Sequence, residues 1–455
     1  PQGDSSLKAE LNLTNLVVEN PENTLPKEPL RAQVQLDGAI HKQILELRQA
    51  LLGLTPTPRA KNELQLLGRL DLTKTNAASG HLTLQAESLD VTPYFDLFSG
   101  KSDTNAAVRA AAAPPSVSSQ AEPAAIRMPV DQLTLDLKIN RLYLRDVAVS
   151  NLAATATIKG SEVNMKPLTL AVNGAPVTAE AVLNLGVPGY AYDLAFQASK
   201  VPLEPLANSF STNSRGQFQG ELTAQARIKG AGVTGASLRK NLNGQVGLSL
   251  TNLNLQVMGP KTRLLLEPIA LLLRVPELTQ SPLNWVNANA QIGSGRIDVT
   301  QFAVLGEAFH ADARGAIPMA EVLTNSPLDL PVSFYLRRSL AEKSNLMPPG
   351  APPEAPYVKL PNFVKLTGTL GSPKTETAKL VISGLLLRSS SALPGVGGKA
   401  GNILQGIGGL LTGQGLPGAI TNLNPTVKTN ANSAPSTNKP AKINPLDLLR
   451  LIPRK

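Results

Sequence analysis

The strongest constraint on this 455-residue chain is a two-residue period. Leu133, Leu135, Leu137 and Ile139 alternate with Thr134, Asp136, Lys138 and Asn140. Leu152, Ala154, Ala156 and Ile158 alternate with Ala and Thr, and Val286, Ala288, Ala290 and Ile292 with Asn287, Asn289 and Gln291. The pairs Leu64, Leu66 and Leu82, Leu84 fit the same pattern. Neighbouring side chains of a strand point to opposite faces, so each segment carries one apolar and one polar face. Turn signals punctuate them: Asn173-Gly174, Lys159-Gly160, Gly293-Ser294-Gly295 and Leu370-Gly371-Ser372-Pro373. Well over a dozen such segments predict a mostly β fold, an elongated, curled antiparallel sheet of meander-like hairpins with a few short helices.

Composition fits a sheet without large side chains. Aromatic residues are 4% of the chain and apolar residues 42%, so the core must be built from Leu, Val, Ile and Ala. Charged residues are 17%, below the roughly 25% usual for soluble domains. The absence of cysteine excludes disulfides, zinc ribbons, iron–sulfur centres and thiol catalysis. His41, His81 and His310 are the only histidines, too few for a clustered metal site unless carboxylates supply most ligands. No cofactor is expected. The net charge of +10 favours anionic neighbours. No run of 18 apolar residues exists to span a bilayer as a helix. The chain opens at Pro1 without a Met, which reads as a fragment or a processed product whose anchor or signal would lie upstream.

Several stretches break the alternation. Residues 261–274 read as a helix, with Pro268 suggesting a kink or restart. Residues 91–100 place Pro93 in a first helical turn after Thr92, and Val201–Leu206 repeats the device. Residues 336–346 predict a further short helix ahead of a stiff Pro loop at 347–356. The stretch after Gly80 resembles the one after Ala191, about 110 residues on: a strand, a polar step and a short helix. The expected organisation is an N-terminal β segment over 1–100, a flexible Ala/Pro-rich insertion over 101–127, a β domain over 128–388, and a loosely ordered Gly-rich and Asn/Pro-rich tail over 389–455.

Little in the chain advertises chemistry. Ser237 and Lys240 have serine–lysine spacing but lack the companion elements of such enzymes. Gly395-Val-Gly-Gly-Lys399 is too short for a phosphate loop and no Ser or Thr follows. Asp71, Asp90, Asp136, Asp146 and Asp298 are not paired at the spacing of a general acid and base. Trp285, the single indole, is expected to pack at a sheet edge. Basic residues such as Lys138, Arg141, Arg227 and Lys240 are scattered, and aromatic stacking platforms are missing, so nucleic acid is not an expected partner.

Gly216–Leu255, GQFQGELTAQARIKGAGVTGASLRKNLNGQVGLSLTNLNL, resembles the C-terminal region of the AsmA family of Gram-negative envelope proteins. Val147–Leu185, with its serial Gly, strand, Pro-Leu, strand, Gly, strand, is similar to the same family. Gly295-Arg-Ile-Asp-Val, Phe309–Ile317 and Thr367–Pro373 continue the order, so the resemblance covers roughly 130–385, with weaker support back to about 60. The insertion at 101–127 and the tail after 390 depart from the family's pattern. The resemblance implies a non-enzymatic envelope protein, periplasmic and anchored to the inner membrane by a segment absent from this chain. It also implies a role in outer-membrane biogenesis or phospholipid transport.

Two arrangements satisfy the alternation: a groove open to lipid, or a closed core behind one face of an ordinary sheet. In the first, Leu133, Leu135, Leu137, Ile139, Val286 and Ile292 line the apolar face. The helix carrying Leu264, Leu265, Leu266, Leu271, Leu272 and Leu273 then caps an end of the sheet or touches the membrane surface. Expected partners are phospholipid or an acidic membrane surface, together with envelope assembly proteins. The alternative is a periplasmic structural or interaction scaffold for envelope assembly.

Overall fold

The computed structural model describes residues 4–20, 23–74, 77–99, 121–210, 215–216, 218–253, 260–378 and 381. The Gly-rich tail over 389–455, Gly395–Lys399 within it, and residues 101–120 of the insertion lie outside the described residues. Five strands come first: β1 (Ser5–Asn20), β2 (Asn23–His41), β3 (Ile44–Leu54), β4 (Glu63–Asp71) and β5 (Ala78–Asp90). Helix α1 (Thr92–Ser99) follows, then β6 (Val130–Leu144), β7 (Val147–Lys159), β8 (Glu162–Val172), β9 (Ala175–Asn184) and β10 (Ala191–Pro202). Next come α2 (Leu203–Phe210), β11 (Glu221–Ala231), α3 (Gly235–Asn241), β12 (Asn243–Thr251) and α4 (Pro260–Leu273). The chain continues through β13 (Leu283–Gly293), β14 (Arg296–Gly306), β15 (Phe309–Pro318), β16 (Leu330–Arg337) and α5 (Arg338–Lys343). It closes with β17 (Tyr357–Lys359), β18 (Val364–Thr369) and β19 (Ser372–Thr377).

All nineteen strands belong to one sheet. From β1 to β16 each strand pairs with its successor; β16 then pairs with both β17 and β18, and β18 with β19. The sheet is not closed: among the described residues no pairing joins β1 to β19. The mostly β, mostly antiparallel expectation therefore holds. Its local cause is the turns. Lys42-Gln43, Asn173-Gly174 and Ser294-Gly295 each put two successive residues at positive φ, the hairpin geometry that matches strand twist.

One pair breaks the antiparallel pattern: β5 and β6 are parallel, Leu84 opposite Leu137. A parallel pair needs a connection of a dozen or more residues to return the chain to its starting end, and residues 91–129 supply it. The last part of that connection is fixed in place. Ile126 donates its backbone N–H to Leu185 O at 2.8 Å, and Gly189 donates to Pro123 O at 2.8 Å. Residues 121–127, which composition assigns to a flexible insertion, therefore run hydrogen-bonded along the β9–β10 turn.

The predicted helices near 91–100 and after Val201 appear as α1 and α2, and both follow strands ending at the same end of the sheet. Phe95 and Phe210 meet there edge to face, 6.5 Å between centroids, with the Arg145 guanidinium 5.3 Å from the Phe95 centroid. The predicted helix at 336–346 is the shorter α5. Helix α4 runs through Pro268 without restarting. The hydrogen bond that proline forgoes belongs to the carbonyl of Leu264, a residue on the solvent side of the helix, so water can serve it. Trp285 is not at a sheet edge: its strand β13 is flanked by β12 and β14, and the indole leans on His310 at 6.2 Å.

Candidate functional site

Residues directly opposite in a ladder share a face, so the register traces each face across the sheet. Starting at Ala9, the partners are Leu36, Ala50, Leu66, Leu84 and Leu137. The row continues through Ala154, Leu168, Ala179 and Phe196, then Ala226, Val246, Ala290 and Val299. Fourteen strands thus contribute one apolar residue each to a single unbroken row. Register shifts occur in several of these strand pairs, among them β2–β3, β3–β4, β7–β8, β8–β9 and β13–β14, yet the row stays apolar. Each shift is absorbed by extra residues on one strand, which keeps the flanking positions on their faces.

This register puts Leu133, Leu135, Leu137 and Ile139 of β6 on the same face as Val286 and Ile292 of β13, seven strands away. All six are half-buried. The opposite face carries Lys8, Gln35, Gln65, Thr134, Lys138, Gln225, Arg227, Asn289 and their neighbours.

Cover is what varies along the face. Over β15–β18 most of the face is buried. Leu266, Ile269, Ala270 and Leu273 of helix α4 belong to one buried core with Phe309, Phe334 and Leu336, and Phe334 is 1% exposed. Arg338 pins the Pro loop beside that core, donating to Ala355 O at 2.9 Å and to Pro352 O. A second covered patch lies on β9 and β10, where Leu206 of α2 packs against the cluster of Ala175, Val177 and Ala198, and between the two patches the face is half-buried or open. Leu7, Leu11, Leu13, Val34 and Ile40 on β1 and β2 are exposed, Leu11 at 56%. Leu194 and Phe196 on β10 are exposed as well, Phe196 at 42%. Large apolar side chains left in water on one continuous surface mark a site for another apolar body.

The leucines of α4 divide. Leu266 and Leu273 are core, Leu272 packs against them and Leu265 is half-buried, but Leu264 and Leu271 face solvent, Leu271 at 81%. The helix is thus a cap over the sheet that also exposes two leucines beside Arg263 and Arg274.

The candidate acidic residues are tied up singly. Asp90 is buried; burial pushes its pKa up, but hydrogen bonds from Arg59 (Nε at 2.7 Å) and Thr92 outweigh this and hold it below the usual range. Asp71 accepts from Thr73, Asp136 from Thr155 and beside His81, Asp146 from Arg215, and Asp298 from Arg296. Ser237 lies in the first turn of α3 beside Glu122. Among the described residues no group of three or more His, Asp or Glu is placed to hold a metal ion. No helix of the described residues is long and apolar enough to cross a membrane.

Residues 54–256 match the model of the AsmA family. No curated protein and no solved structure matches the chain.

Proposed function

Because residues 54–256 match the AsmA family, a family associated with envelope and outer-membrane assembly, we propose that the chain is a member and that its sheet takes up phospholipid on the apolar face. The observation that carries this reading is the unbroken apolar row from Ala9 to Val299, uncovered at Leu7, Leu11, Leu194 and Phe196. An acyl chain laid on such a face loses its contact with water, worth about 25 cal/mol per Å² of apolar surface buried. Leu, Val and Ala side chains form a smooth wall that fits a chain in many positions, unlike a shaped small-molecule pocket. In this reading the protein is not an enzyme, and it contributes to outer-membrane biogenesis or phospholipid homeostasis. It works in the periplasm, anchored to the inner membrane, next to acidic lipid surfaces and envelope assembly proteins.

The buried region at β15–β18 supports the scaffold alternative, in which the sheet only presents a surface to partner proteins. Native mass spectrometry of protein purified from bacterial membranes in mild detergent separates the two. Co-purifying phospholipid and exchange of labelled lipid between vesicles are expected, and Leu194→Asp with Phe196→Asp should reduce both. Protein free of phospholipid and inactive in exchange would sink the carrier reading and leave the scaffold.

A further inference from the structure

The polar face holds a depression that the lipid reading does not use. Two register rows cross it. One runs Thr178, Gln197, Gln225, Gly247, Asn289, Gln301 and the other Glu180, Ala195, Arg227, Gln245, Gln291, Asp298. Ala195 and Gly247 are the short positions among long side chains, and around them lies a trough of about 600 Å³. Gln197, Gln225, Gln245, Gln291 and Arg227 line it, are exposed, and have no side-chain hydrogen-bond or ion-pair partner among the described residues. Asn289 is oriented: its amide nitrogen donates to Gln301 at 3.1 Å and Asn287 at 3.3 Å, which leaves its oxygen over Gly247. Glu180 is already paired with Lys166 at 3.6 Å.

Four residues along β13 from Asn289, on the same face, stands Trp285. That is about 13 Å at strand rise. The indole begins an aromatic row: Trp285 to His310 at 6.2 Å, and His310 stacked on Tyr335 at 5.0 Å.

A carboxamide carries a donor and an acceptor side by side, and so does each hydroxyl of a sugar. A trough of carboxamides with one unpaired cation matches a neutral, hydroxyl-rich ligand. A phosphate would call for several converging cations. A pyranose also has an apolar C–H face that seeks an aromatic ring. We propose that the polar face across β9–β14 binds a neutral oligosaccharide, which lies in the carboxamide trough and extends toward Trp285. Because this site is on the face opposite the apolar row, sugar and lipid would not compete.

Trp285 is the only tryptophan, so its fluorescence reports on this face alone. The full chain is titrated with neutral tetrasaccharides of glucose, mannose and N-acetylglucosamine, with calorimetry in parallel, and with inorganic phosphate as the anionic probe. At least one sugar should bind saturably. Gln225→Leu with Gln245→Leu should weaken it tenfold or more, and the milder Arg227→Gln severalfold, with far-UV circular dichroism unchanged and lipid co-purification intact. No saturable binding of any of the three sugars, equal affinity in the variants, or a response to phosphate alone would overturn the proposal.

Discussion

The carboxylate of Glu122 accepts a hydrogen bond from the backbone N–H of Val233 at 2.9 Å, across 111 positions of sequence. Ser237, the hydroxyl and N–H of Thr234 and the N–H of Val233 all bond to it, and together they hold its pKa down at about 2. One residue of an Ala/Pro-rich stretch is thereby fastened to the start of α3, and the backbone bonds of Pro123 and Ile126 follow it along the β9–β10 turn.

That contact predicts a pH window. The folded pKa of about 2 lies below the ordinary 4.5, so the contact stabilises fully above about pH 4.5 and is lost as pH falls toward 2. Glu122→Gln should speed hydrogen exchange at Ile126 and Gly189 at neutral pH. Near pH 2 variant and parent should exchange alike once intrinsic rates are corrected. Unchanged exchange at neutral pH would show that the backbone bonds hold the segment without Glu122.

The two conditions of the apolar face predict opposite outcomes for similar substitutions. Phe334, buried under α4, should cost about 3–5 kcal/mol when replaced by Ala. Leu11 lies on the same face but in water, and Leu11→Ala should stay within about 0.5 kcal/mol. Denaturant unfolding of both variants measures this; a large loss at Leu11 would mean that the face is covered there.

Asp90 should be a stability residue. Its buried carboxylate takes two bonds from Arg59 and one from the N–H of Thr92, fastening the 55–62 loop to the end of β5. Asp90→Ala should cost about 1.5–3 kcal/mol, the range for charged hydrogen bonds, because the half-exposed Arg59 can turn to solvent. The folded pKa of Asp90 is depressed, so this contribution is present above its ordinary value of 3.8 and fades as pH falls below it. Thermal unfolding at pH 7 and pH 3 should show a smaller gap between variant and parent at the lower pH.

Helix α4 offers a paired test of the expectation that it touches the membrane surface. Leu273 is 2% exposed, and Leu273→Ala should cost about 2–5 kcal/mol. Leu271→Ser should leave stability within about 0.5 kcal/mol. It should also reduce co-sedimentation with vesicles containing anionic phospholipid severalfold. Undiminished sedimentation would make α4 a cap over the sheet and nothing more.

Much of this was legible in the chain because it is local. The alternation from Leu133 to Ile139 sets which side each residue faces, and Asn173-Gly174 sets where a hairpin turns. The serial order of such segments was enough to suggest the family. Neither Trp285 in the sheet interior nor the docking of residues 121–127 could be read this way, since both depend on partners far off in sequence. The carboxamide trough was equally hidden: Gln225, Gln245 and Asn289 are ordinary polar positions until the register aligns them around Ala195 and Gly247.

The sequence by itself determined the two faces, because successive side chains of a strand must point to opposite sides. Only the tertiary structure decided where the apolar face is core and where it is surface. Phe334 and Phe196 belong to the same apolar face, but α4 folds back over one and leaves the other in water. Burial is a property of what packs from a distance, and no local period encodes it.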